Sequence, residues 1–156
     1  MTHEINDWVQ RGHLWVWRYR DPGRNCRGWH FSADPEGCRS IGRLLDTMKA
    51  GVACHRTLKL APVTDDVLAV PNYPRKSLGR FEKLRIAFQP EALELTMNPE
   101  DDRLVLIVGD ARLRKLVAAF AEVEVGRGDF GIAPSENRRS DPWMFWWPPK
   151  AFWKNT

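Results

Sequence analysis

The sequence predicts an α+β domain, with a mainly antiparallel sheet of about six or seven strands and two amphipathic helices packed on one face. Three observations lead there. Short runs of alternating or continuous apolar residues, bounded by Gly, Pro, Asn and Asp, recur along the chain and read as strands. Two segments carry apolar residues at helical spacing: Ile41, Leu44, Leu45 and Met48, and then Leu113, Leu116, Val117 and Phe120. The eight tryptophans crowd into the two ends, with none between Trp29 and Trp143. Early and late strands are therefore expected to share one aromatic layer.

"HLWVWRYR" (13–20) alternates, with Leu14, Val16, Arg18 and Arg20 on one face and His13, Trp15, Trp17 and Tyr19 on the other. "DPGRNCRG" reads as a turn region and "WHFSA" (29–33) as a second strand. Asp34 then offers a helix cap, and Pro35 fits the first helical position. Gly51 is a natural stop, and "CHRTLKL" (54–60) reads as a strand with Arg56, Leu58 and Leu60 on one face. Residues 61–80 hold Pro62, Pro71 and Pro74, and are expected to form an irregular connection with a short extended piece at 67–70.

"KLRIAF" (83–88), "LELTM" (93–97) and "RLVLIVG" (103–109) read as strands, with "NPEDD" as a hairpin turn. Asp110 is expected to cap the second helix and Gly126 to end it. The two helical stripes lie 72 residues apart, consistent with two related strand–strand–helix–strand halves within a single domain spanning 1–156. The last strand lies in "DPWMFWWPPK". Trp143, Phe145 and Trp147 point one way, and Met144 and Trp146 the other. A strand apolar on both sides belongs inside a sheet covered on both faces, and Pro148 and Pro149 end its pairing.

Composition is that of a globular chain, 43% hydrophobic and 28% charged. The net charge of +4 permits an acidic partner or phosphate contacts without requiring either. The opening "MTHEINDWVQRGHLWVW" lacks an apolar signal core, and no run is long enough to cross a membrane. The three cysteines, Cys26, Cys38 and Cys54, then read as free thiols, and a cytoplasmic location is expected.

Motifs for catalysis are sparse. Cys26 and His30 are spaced like a pair of zinc ligands, but Cys38, Cys54 and His55 do not complete the set, so no metal is expected. No GxSxG elbow is present. "GRGDFG" (126–131) follows a helix instead of opening one, and reads as a cap and turn, not as a phosphate loop. Arg112, Arg114 and Lys115 crowd the first turns of the second helix, against the macrodipole preference, and form a weak candidate anion site.

The expectation is a small non-enzymatic binding or accessory protein that engages a protein partner and needs no cofactor. Aromatic and arginine residues anchor such interfaces. The residues expected to carry contact are Trp15, Trp17, Tyr19, Arg18 and Arg20, followed by Arg75, Lys76, Arg138 and Arg139 in loops. The alternative is a single-stranded nucleic-acid module that stacks bases on the same rings. An enzyme or zinc protein using the Cys and His residues is the remaining alternative.

Overall fold

In the computed structural model, which describes residues 2–23, 26–49, 51–73 and 76–153, the strands divide into two mixed four-stranded sheets. In chain order the elements are α1 (Thr2–Asp7), β1 (Leu14–Trp17), β2 (His30–Ala33), α2 (Pro35–Met48), β3 (Cys54–Lys59), α3 (Asp65–Ala69) and β4 (Lys83–Phe88). There follow β5 (Thr96–Glu100), β6 (Arg103–Val108), α4 (Asp110–Glu124), β7 (Phe130–Ile132), β8 (Trp143–Trp146) and a 3-10 turn at Lys150–Phe152. One sheet runs β1-β2-β8-β7 and the other β3-β4-β6-β5. This corrects the expectation of one mainly antiparallel sheet. The central pairs, β2 with β8 and β4 with β6, are parallel. Neither pair joins strands that are consecutive in sequence, which strand periodicity does not report.

The two sheets have the same topology. β1–β2, helix α2 and β3–β4 form one half; β5–β6, helix α4 and β7–β8 form the other. In each half, the hairpin before the helix pairs in parallel with the hairpin after the helix of the other half. The repeating unit is therefore hairpin–helix–hairpin, one strand longer than the strand–strand–helix–strand unit expected from sequence.

Helix α2 forms where its signals place it. The Asp34 side chain accepts from Gly37 N at 2.8 Å, Pro35 opens the first turn, and Glu36 favours the dipole. Ile41, Leu44, Leu45 and Met48 are all buried and face α4 and the sheets. Helix α4 is capped by Gly109, one residue before the expected Asp110. Leu113, Leu116 and Phe120 supply its buried stripe. Gly126 ends it at φ +88°, with Arg127 N bonded to the Glu122 carbonyl.

Two further expectations shift. Residues 65–69 are helical, not extended, because Thr64 caps and Asp65 and Asp66 fill the first turn. Strand β5 starts at Thr96 and runs through Pro99, an edge position where proline removes no ladder bond; Asp101, at φ +57°, makes the turn. The opening residues form α1, whose terminal carbonyls at Ile5 and Asn6 accept from the Arg56 guanidinium.

Aromatic layering follows from the shared sheet. β8 is an interior strand between β2 and β7, as its two-sided apolarity predicts. Phe31 and Phe145 stack at 4.9 Å, with Phe120 edge-on to both. That face belongs to the main core, together with the stripes of α2 and α4 and the inner face of the second sheet.

Helix α2 sits against the start of β1 by backbone contact. Gly12 takes φ +71°, and a β-carbon on it would overlap Gly37 N; a β-carbon on Gly37 would overlap the His13 carbonyl oxygen. A Gly37→Ala substitution is expected to lower stability by about 1–3 kcal/mol, the usual cost of overpacking. The urea unfolding midpoint measures it, and Gly42→Ala, on an open helical surface, is the control that should not destabilise.

Candidate functional site

The aromatic part of the surface expected from sequence is interior. Trp15, Trp17 and Tyr19 are each no more than 2% exposed. They form a second apolar cluster with Trp146, Val67 and Leu68, and Val63, Tyr73 and Phe152 pack against it. β1 does alternate, but both its faces are covered, the second by the connection that holds α3.

The cluster is organised around His30, which is fully buried. The ring stacks between Trp17 at 5.6 Å and Trp146 at 6.1 Å, with Tyr19 edge-on at 4.9 Å. His30 Nε2 lies 3.0 Å from the Cys26 carbonyl, and Trp146 Nε1 donates to Nδ1 at 2.9 Å. Those partners fix the neutral ring with its proton on Nε2. Burial pushes its pKa down to about 4, although the Cys26 carbonyl bond opposes the shift. Tyr19 donates to the Leu68 carbonyl, and burial pushes its phenol up to about 12.

The basic residues of the expected surface are spread out. Arg18 is half-buried, with its guanidinium 4.9 Å over the Trp29 ring. Arg20 and Lys76 are exposed and adjacent, joined by a backbone bond from Arg20 N to the Lys76 carbonyl. Arg138 and Arg139 are exposed in the separate loop between β7 and β8. Arg75 lies outside the described residues.

The three cations on α4 do not converge. Arg112 is 7% exposed, and its guanidinium donates to the carbonyls of Leu93 and Ala133. It ties two loops together. Lys115 lies on that side with Glu94 and Glu136, whose carboxylates disfavour an anion. Arg114 stands two residues from Arg112, on the opposite side of the helix.

The cysteines and histidines are likewise separate. Cys38 is buried in α2, and its thiol is pushed up to about 12 by burial and then by Glu124 and Asp34. Burial also raises Cys26 and Cys54. No group of three His, Cys, Asp or Glu side chains converges on a metal-sized site among the described residues.

One pair escapes sequence reasoning. His13 Nδ1 lies 2.7 Å from Asp34 Oδ2, and Asp34 Oδ1 accepts from both His13 N and Gly37 N. A half-exposed imidazole oriented by a buried carboxylate is half of a general-base arrangement. Its ring stacks on Trp15 and meets the edge of Phe152. The depression it borders is lined by Gln10, Arg11, Lys59 and Leu60, and no hydroxyl or thiol stands among them. Asp34 is legible as a cap, but His13 precedes it by 21 residues, and only the fold joins them.

A second feature also depends on the fold. An apolar groove of about 450 Å³ lies between the start of α2, the end of α4 and the segment after β8. Pro35, Val123, Val125, Trp147, Pro148 and Trp153 form its walls, and Glu124 lies at the polar side. Trp153 is 51% exposed and Val125 67%. Both indole N–H groups are spent internally, Trp147 on the Gly126 carbonyl at 2.7 Å and Trp153 on the Pro148 carbonyl at 2.6 Å. The rings therefore offer carbon surface to an occupant. The sequence signal was the "WWPPK" stretch and Trp153; which ring faces outward was not readable.

No helix among the described residues is long and apolar enough to cross a membrane. Comparison of the chain with protein-family models, curated proteins and solved structures finds no match.

His30 generates a pH prediction. Its folded pKa lies below the unfolded value of 6.5, so its contribution is complete above pH 6.5 and is lost as pH falls towards 4. The loss between pH 7 and pH 4 amounts to about 3 kcal/mol, at 1.36 kcal/mol per pKa unit. His30→Gln keeps one donor and one acceptor without a titrating ring. Urea unfolding at both pH values should show a drop smaller by that amount in the variant.

Proposed function

We propose that this protein is a non-enzymatic binding protein that engages a protein partner, and that the Trp147–Trp153 groove receives an apolar segment of that partner. The observation that carries this reading is exposed tryptophan and valine surface lining a concave site whose polar atoms are already satisfied. Exposed apolar surface costs free energy in water, and tryptophan is enriched among residues that dominate binding energy. Arg20, Lys76, Arg138 and Arg139, all exposed, are a second tier of contact residues.

The single-stranded nucleic-acid reading draws less support. The rings it relied on are buried. The zinc reading lacks a converged set of ligands among the described residues, and the enzyme reading has in its support only the His13–Asp34 pair, with no hydroxyl or thiol lining the depression beside it.

Affinity capture from native cell extract tests the proposal. Trp153→Ala and Val125→Asp, both at exposed positions, are each expected to weaken capture of the wild-type partner by at least about tenfold, or about 1.4 kcal/mol. Melting temperatures should stay close to wild type. Undiminished capture by both variants would sink the groove as the contact site.

A further inference from the structure

The two sheets share a topology, but their outer faces are finished differently. On the β1-β2-β8-β7 sheet, the connection between β3 and β4 folds over the outer face and lays Val67 and Leu68 of α3 on Trp15, Trp17 and Trp146. The topologically equivalent connection joins β7 to β8 and spans only residues 133–142. It is braced on itself by the Ser135–Ser140 hydroxyl contact and on the Leu95 amide by the Pro134 carbonyl. No element among the described residues covers the outer face of the β3-β4-β6-β5 sheet, whose residues there are exposed or half-exposed.

That open face has a distinct chemistry. Lys59, Lys83 and Arg103 stand directly opposite one another on three adjacent strands, and Arg85 lies two residues along β4 on the same side. The one carboxylate in these strands, Glu100, is bonded to Arg103 at 2.7 Å. Asp101 and Asp102 stand at the turn beyond it. Like charges placed opposite each other destabilise a sheet, so Lys59 beside Lys83 is unfavourable for folding alone. Next to the cations, Ala87, Val105 and Ile107 make a half-exposed aliphatic strip, flanked by Thr57, Thr96 and Asn98. One ring stands on this face of the strands, the exposed imidazole of His55 directly opposite Ala87.

We infer that this face docks an acidic amphipathic segment of a protein partner, with aliphatic side chains on Ala87, Val105 and Ile107 and carboxylates on Lys59, Lys83 and Arg85. The covered sheet supplies the precedent within the same molecule. Its cover contains "TDDVLA", with Asp65 and Asp66 outward and Val67 and Leu68 inward. Four strands at about 4.8 Å spacing give a surface about 15 Å wide, enough for one helix about 10–12 Å across. Phosphates would satisfy the same cations, but single-stranded nucleic acid stacks successive bases on several rings, and these strands offer only the His55 imidazole. The surface is separate from the tryptophan groove, so the inference goes beyond the function proposed above and does not depend on it.

Amide shift mapping on the full-length protein tests the inference. The probes are a synthetic 16-residue helical peptide with one leucine face and one glutamate face, the same peptide with glutamine for glutamate, and a twelve-residue oligouridylate. The acidic peptide is expected to shift amides of β3, β4 and β6, leaving those around Val125 and Trp153 unmoved. Lys83→Glu with Arg85→Glu should weaken its binding at least tenfold, and the milder Lys83→Gln with Arg85→Gln at least threefold. The glutamine peptide should bind at least tenfold more weakly. Shifts at another surface, no binding of the acidic peptide, or occupation of these strands by the oligouridylate in its place would each overturn the inference.

Discussion

Parallel pairing of β2 with β8 and of β4 with β6 is the constraint on which the rest of this structure depends. Each pair joins a strand of one half to a strand of the other. His30 meets Met144 and Leu84 meets Leu104 across these joins. Neither sheet can reach four strands within its own half, so the halves interlock. The same joins bring Phe31 onto Phe145 and Trp146 onto His30, which creates both aromatic layers from residues at opposite ends of the chain. Contacts of such long sequence separation require closure of large loops before any burial stabilises them. The local signals for α2 and for the hairpins are accordingly strong.

Much of the framework was legible. The apolar period of α2, the Asp34 cap and the boundaries of β4 follow from local chemistry that tertiary context leaves alone. The two-sided apolarity of β8 correctly implied an interior strand. What local pattern could not report was which strands pair. Alternation in β1 looks the same whether Trp15 and Trp17 face solvent, a partner or an internal cover. The 60–82 connection decided it by folding back over them, and so moved the expected contact rings into the core. The α3 helix within that connection was signalled by Thr64, Asp65 and Asp66, but its short length hid it among prolines.

The candidate sites were less legible for the same reason. The candidate sites arise from juxtaposition across the halves. The groove gathers Pro35 from one half and Val125, Trp147 and Trp153 from the other, and the cation row aligns Lys59 and Lys83 with Arg103. Arg112 shows the converse case. Read as a free charge at a helix start, it instead satisfies two loop carbonyls, which accounts for a cation placed against the macrodipole. The topological repeat then exposes a difference that neither half shows alone: one outer sheet face is sealed by an internal segment, and its counterpart is open and basic.

Interlocking of the halves is tested most directly by native-state hydrogen exchange. The amides of Phe31 and Phe145 report on one sheet, and those of Ile86 and Leu106 on the other. If the parallel joins make the two sheets one cooperative unit, all four exchange with the same free energy, equal to that of global unfolding, and respond alike to denaturant. If Phe31 and Ile86 of one half exchange several kcal/mol more easily or less easily than Phe145 and Leu106 of the other, the halves open independently and the interlocking account is wrong.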